Sequence, residues 1–365
     1  MPERPSTMDA EALIGRLLAD RTGRVGPLPN PERFLALCES HGVSALILEK
    51  ARDRGLQGEG WQGVLEGLNA RRRQWLARNI HLLSRLREFQ SALRRAGIPC
   101  IVLKGGSLLA VLYSDFGLRP LGDIDVLVRK EDVDRILEIL RRDGWNVPSE
   151  AEVRFWRRTF YHLYVQTRDT FAAAFEIHWD LEKEARHAIQ VEELWERSVV
   201  FQLEGDTLRR LSNEDLMLHL LLHLAHHYYN PRLIWVCDIR RLAGGASLDW
   251  SRILARAERW RLRLPVYYSL HYVEKIFPGT VPPEVLAAAR VGWLRRAILK
   301  AASTSNPLFL TRPMERPLLR LPFSLYFIDR PWDIVRFLGR NLGPKLGQWG
   351  RARRIGRPVE PGSPP

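Results

Sequence analysis

Cysteine is nearly absent from this chain. The 365 residues hold three, Cys38, Cys100 and Cys237, far apart and each in apolar surroundings. An odd, scattered set with no Cys-x-x-Cys argues against a disulfide framework and reads as buried free thiols. Long apolar runs are missing too. None approaches the roughly 18–20 residues that a membrane helix needs, so no transmembrane segment is expected. Met1-Pro-Glu-Arg-Pro-Ser6 lacks the apolar core of a signal peptide, and cytoplasmic residence is the expectation. No internal repeat is visible. Lysine is scarce beside arginine, and acidic residues are outnumbered, leaving a net charge of +14. A basic chain suits nucleic acid, anionic lipid or polyphosphate. Yet much of the excess lies between Arg312 and Arg357, with 11 Lys+Arg against 3 Asp+Glu. An anionic partner is therefore expected for the C-terminal segment rather than for the chain as a whole.

What is present is concentrated in residues 98–128. An apolar run from Ile98 leads into Lys104-Gly105-Gly106-Ser107. A candidate helix over Leu108–Tyr113 follows, then Arg119-Pro-Leu-Gly-Asp123-Ile-Asp125-Val-Leu-Val128. The pattern reads as strand, small-residue turn, helix, loop and acidic strand. Residues two apart on a strand share a face, so Asp123 and Asp125 project together, with Cα atoms roughly 6–7 Å apart. Ile124, Val126 and Val128 face the core. Two carboxylates on one face repel unless a cation compensates. Mg²⁺ takes oxygen ligands and is often held by one or two carboxylates plus substrate phosphates. Gly105 and Gly106 permit φ > 0 and close approach of a ligand. If Ser107 opens the helix, its amide groups form an anion site, with Lys104 and Arg119 adding positive charge.

This ordered combination resembles the nucleotidyltransferase superfamily with the DNA polymerase β-like palm. Leu-Lys-Gly-Gly-Ser, Gly-x-Arg-Pro and Gly-Asp-Ile-Asp-Val-Leu-Val look most like the bacterial NTP_transf_5-like family, and also like the related AbiEii-type toxins. The core of the likeness covers about 98–145, with a looser extension through Phe175-Glu176-Ile-His178-Trp179 to about 245. The resemblance implies an α+β fold, a small mixed-sheet palm flanked by N-terminal and C-terminal helical regions. It implies a Mg²⁺-dependent enzyme (with Mn²⁺ as substitute) that moves a nucleoside monophosphate from an NTP to an acceptor hydroxyl. Asp123 and Asp125 would hold metal, and Glu176, on a neighbouring strand, would be the third acid. The family pattern usually begins acid-x-His-Trp with Asp; this chain has Glu. Lys104, Gly105, Gly106, Ser107 and Arg119 would bind the triphosphate. The acceptor stays open among a small molecule, a protein and RNA. Toxin-like transfer to tRNA and a degenerate nucleotide-binding or assembly module are the alternatives.

The rest of the chain divides into a helical region over 1–69, the palm with its preceding long helix over 70–211, a helical domain over 212–310, and a basic, partly disordered segment over 311–365. The long helix is expected over Leu68–Ala96, after a turn-rich connector at Gly55–Gly63. Helix Glu131–Arg142 follows the acidic strand, and Trp145–Val153 reads as loop or short strand. Tyr161–Val165 and Ala173–Trp179 read as strands. Glu176, His178 and Asp180 share one face of the second. A hairpin is expected to turn at Gly205-Asp206. Ser212 caps a helix over Asn213–Tyr228 that carries His219, His223, His226 and His227. Their i, i+4 spacing is compatible with zinc, but the intervening leucines favour a buried helix or a cleft wall. His178, His223, Trp235 and Asp238 are candidates for a substrate pocket. Alternatively Asp238 pairs with Arg240 or Arg241. Trp332–Leu342 reads as a basic amphipathic helix.

Overall fold

The computed structural model describes residues 9–21, 28, 30–58, 60–182, 186–306, 308, 323, 325–336 and 338. Residues 1–8 and most of 311–365 lie outside this set, as do residues 337 and 339–342 of the expected Trp332–Leu342 helix; residues 331–336 are helical. Six short strands form one mixed sheet: β1 (Ile101–Val102), β2 (Ile124–Leu127), β3 (His162–Gln166), β4 (Ala174–His178), β5 (Val199–Leu203) and β6 (Asp206–Arg210). Their order is β3-β4-β2-β1-β6-β5. β2 runs parallel to β4, and β1 to β6; the other neighbours are antiparallel.

Alternation along the strands decides which face is apolar. Ile124, Val126, Leu163, Val165, Phe175 and Ile177 all point into one core. That core is closed by helix α4 (Trp61–Arg95) through Leu86, Phe89 and Leu93, and by α6 (Val133–Arg142) through Ile136 and Leu140. Phe89 stacks on Phe175 at 5.1 Å. The intervening residues of the same strands, Asp125, Glu176, His178 and His162, are polar and occupy the opposite face.

A second core is helical. It joins α1 (Ala10–Leu18), α2 (Pro31–Ser40), α3 (Ser44–Asp53), α9 (Asn213–His226), α10 (Leu233–Gly245), α11 (Trp250–Arg259) and α12 (Arg263–Ile276). α4, about 52 Å long at 1.5 Å per residue, serves both cores. Trp61, Val64 and Leu68 enter the helical one, and Leu82 to Leu93 the sheet core. Midway, buried Asn79 staples the loop ahead of β2. Its amide donates to the Phe116 and Arg119 carbonyls at 2.5 and 2.7 Å, and its oxygen accepts from Leu121 N–H at 3.1 Å. No described helix is long and apolar enough to cross a membrane.

Several boundaries differ from expectation. α4 begins at Trp61, so the connector is shorter than the glycines suggested. The loop or short strand expected over Trp145–Val153 gives way from Glu150 to a helix, α7 (Glu150–Thr159), because Ser149 and Glu152 make a reciprocal capping box. The hairpin turns at Glu204-Gly205, both at positive φ (47° and 89°). This is the twist a two-residue hairpin favours, and it leaves Asp206 paired with Leu203. α9 is capped by Ser212 as expected, but ends at His226.

The sheet and the helical layer are tied by one buried ion pair. Arg119, in the loop before β2, donates from Nε and Nη2 to both carboxylate oxygens of Asp238 on α10, at 2.8–3.0 Å. Tyr113 Oη donates to the same carboxylate at 2.6 Å. Asp238 thus pairs with Arg119, not with Arg240 or Arg241. Truncating one partner strands the other charge away from water. Arg119→Ala is expected to cost about 3–5 kcal/mol, read as a lower urea midpoint with an unchanged slope.

Acid should also act on the fold. Burial, with Arg232 adding, pulls His41 down to about 4, and burial does the same to His187 against the pull of Glu182. A histidine whose folded value lies below its unfolded 6.5 binds its proton more readily when unfolded. The contribution of these two histidines is therefore whole above pH 6.5 and falls between 6.5 and 4, by roughly 1.4 kcal/mol per pH unit per histidine, while Asp123, raised to about 7, acts in the opposite sense. Glu182, held well below the usual range, adds loss only under pH 4.5. Denaturation midpoints at half-unit steps of pH would show the decline starting near 6.5; a flat profile down to 4.5 would contradict it.

Candidate active site

The register of three strands assembles the polar face. Asp125 on β2 stands opposite Glu176 on β4. On the far side of β4, β3 sets Tyr164 opposite Glu176 and His162 opposite His178. Asp123 precedes β2 by one residue and is half-buried. The strand of Glu176 lies directly beside the acidic strand, as the resemblance implied.

Within this face Asp125 is held from two sides. Lys104 Nζ donates to Asp125 Oδ1 at 2.9 Å. His178 Nε2 lies 3.0 Å from Asp125 Oδ1 and 3.0 Å from Glu176 Oε2. Burial works against the Asp125 charge, but the Lys104 ammonium and the His178 contact overcome it and hold the carboxyl well below the usual range. Burial is likewise overcome at Glu176 by the His178 hydrogen bond, which keeps that carboxyl lowered. At His178 and Lys104 the neighbouring carboxylates outweigh burial and raise both groups. Asp123 differs. No ion-pair partner reaches it among the described residues, and burial, then Asp125 and Glu176, push it up to about 7. The face therefore has two compensated carboxylates and one that lacks a cation.

The Gly-Gly element acts otherwise than expected. Helix α5 spans Lys104–Leu112, so Gly105 and Gly106 form its first turn rather than a preceding loop, and neither has positive φ. Glycine is needed for space. A Cβ on Gly105 would lie 2.4 Å from Leu121 Cδ1 and 2.8 Å from Arg119 Nη1, and one on Gly106 2.9 Å from Val102 Cγ1. The positive φ belongs to Lys104, at 31°, a conformation L-residues seldom adopt. Ser107 does not open the helix; it is buried and donates to the Lys104 carbonyl at 3.0 Å. α5 has no side-chain cap, and the first-turn amides of a helix have no intrahelical acceptor.

Two other candidates are committed elsewhere. Arg119 is buried against Asp238, so its guanidinium is committed to that carboxylate and both side chains are withdrawn from solvent. Trp235 instead stands edge-on to His223 at 4.6 Å and beside His227 at 5.0 Å. Burial, then the Lys104 charge, keeps His219 and His223 far below the usual histidine range, so both are neutral beside the carboxylates. His226 pairs with Glu182 at 2.8 Å. Among the described residues the α9 histidines form no metal-holding cluster.

Three residues of the site and its support, His162, Tyr164 and Asn79, are not among the candidates the sequence offers. His162 and Tyr164 were seen only as strand positions. Their spacing of two, matching Glu176 and His178 on the next strand, is the signal that could have found them. Asn79, which fixes the loop carrying Asp123, had no signal at all.

The residues suit a divalent cation. Asp125 and Glu176 oxygens already converge on one donor atom, His178 Nε2, and Asp123 beside them has no ion-pair partner among the described residues. Oxygen donors of this kind are what Mg²⁺ takes. Residues 27–278 match the family model described as uncharacterised nucleotidyltransferase, NTP_transf_5. No curated protein matches the chain. Among solved structures it is similar to an antigenic nucleotidyltransferase-like protein from Paracoccidioides brasiliensis, at 13% identity and a TM-score of 0.39, over 57% of this chain and 91% of that one. A family match running from the N-terminal helices through the carboxylate face and α9 to α12 covers well over half of the sequence, and the chain belongs to the uncharacterised nucleotidyltransferase family.

Proposed function

We propose that the protein is a Mg²⁺-dependent nucleotidyltransferase that moves a nucleoside monophosphate from an NTP to an acceptor hydroxyl and releases pyrophosphate. The observation that carries this reading is the alignment of Asp125 with Glu176 across parallel strands, beside an Asp123 that lacks a cation. Asp123, Asp125 and Glu176 hold the metal, with Mn²⁺ as a substitute. Bound there, the cation would supply charge neutralisation at the triphosphate and a lowered pKa at the attacking hydroxyl. The uncapped first turn of α5, at Lys104, Gly105, Gly106 and Ser107, offers amide donors to phosphate oxygens. Lys104 adds charge at the same point. His178 orients Asp125 and Glu176. His223 and Trp235 wall the pocket for base or acceptor.

A second reading has its own support. Lys104 and His178 already neutralise Asp125 and Glu176 from within the chain. A palm compensated in this way would bind nucleotide and transfer nothing.

The test is transfer of label from each of four α-labelled NTPs, with Mg²⁺ or Mn²⁺, into RNA, protein and small-molecule fractions of a cell extract. The labelled fraction names the acceptor class, RNA labelling being the toxin-like outcome. Asp125→Asn is expected to lower transfer on the order of a thousandfold, about 4 kcal/mol of transition-state stabilisation, with the fold intact by circular dichroism. Transfer that survives this substitution would refute the assignment. NTP binding with no transfer in any fraction would favour the second reading.

A further inference from the structure

We infer that β3 and β4 carry a second metal site of different chemistry, built by His162, Glu176 and His178 and suited to Zn²⁺ and related transition ions rather than Mg²⁺. One donor atom from each of these residues lies within 4.8 Å of the others. The register makes the set. His162 stands directly opposite His178, with ring centroids 4.9 Å apart, and Glu176 is two residues along the same face. His178 Nε2 and Glu176 Oε2 are already 3.0 Å apart. With metal–ligand bonds of about 2.1 Å, tetrahedral donors sit roughly 3.4 Å from each other. Only the half-buried His162 ring has to close in.

A second observation points the same way. His162 Nδ1 is buried without a hydrogen-bond partner among the described residues, whereas buried polar atoms are normally paired, so this nitrogen is open to a metal while His178 offers Nε2. Two imidazoles and one carboxylate match the three-ligand sets of zinc sites with an open position. Imidazole nitrogen favours Zn²⁺ and its neighbours, and Mg²⁺ prefers oxygen. The two sites share Glu176. An ion held by His162 and His178 draws His178 off Asp125 and leaves Lys104 as the only described side chain compensating it.

The test needs no turnover, so its failure leaves the proposed transfer standing, and loss of transfer leaves this site standing. The full chain, stripped with chelator, is titrated with Zn²⁺ against a chromophoric competitor and with Co²⁺ by its visible d–d band. The expected result is one ion per chain, not displaced by millimolar-scale Mg²⁺. His162→Gln is expected to weaken Zn²⁺ at least tenfold, and Asp123→Asn to change it less than twofold. In the wild-type chain, imidazole ¹⁵N resonances of two histidines shift on zinc addition, and both are assigned to β3 and β4. Absence of stoichiometric binding, an unaltered affinity in a folded His162→Gln, or shifts confined to the α9 histidines would each overturn the site.

Discussion

Everything on the polar face of the sheet depends on how its buried carboxylates are compensated. Asp125 lies inside the protein, where an unpaired carboxylate would cost several kcal/mol. It is tolerated because Lys104, from the first turn of α5, and His178, from β4, reach it from two sides. Three pieces of chain are fixed by that requirement: the helix after β1, the strand β2 itself, and the strand β4. Lys104 holds an unusual positive φ where it meets Asp125. Local strain at such a point, of order 1–3 kcal/mol, persists only when surroundings over-determine it, and the ion pair is one such constraint.

The second constraint joins layers. Arg119 and Asp238 are almost wholly dehydrated, and their pairing sets the α10 helix against the loop that delivers Asp123. Asn79 holds the same loop from the other side through three hydrogen bonds. The glycines at 105 and 106 let α5 lie close to Leu121 and Val102. The loop is thus gripped by α4, α5 and α10 together, which gives the half-buried Asp123 a defined place without giving it a cation. Asp125 and Asp123, two residues apart, are pushed in opposite directions by this environment. Such divergence among neighbouring acids is common where chemistry is done.

Much of this architecture was legible in the sequence, for reasons that are local. The apolar alternation of Ile124, Val126 and Val128 specified a strand and the face of its aspartates. The 3.6-residue stripe through Leu82, Leu86, Phe89 and Leu93 specified the long helix, and Ser212 the cap of α9. Boundaries governed by weaker local signals were misplaced. Glycines at 55–63 pointed to a longer connector than α4 allows, and the Ser149–Glu152 capping box was overlooked. The conformation of Gly105 and Gly106 and the partner of Arg119 were misjudged for a different reason. Arg119 looks like any phosphate-binding arginine until its distant partner, 119 residues along the chain, is known.

The sequence by itself determined the period of each element, and therefore which side chains share a face: Asp123 with Asp125, Glu176 with His178, His162 with Tyr164. Those relations follow from backbone geometry over two to four residues. Tertiary structure alone decided which faces meet. Parallel pairing of β2 with β4 sets Asp125 against Glu176, and antiparallel β3 brings His162 to His178. It also decided which cations are spent on structure, as Arg119 is, and which stay near the carboxylates, as Lys104 does. Pairing across dozens of residues depends on burial and charge compensation summed over the whole fold, which no local pattern records.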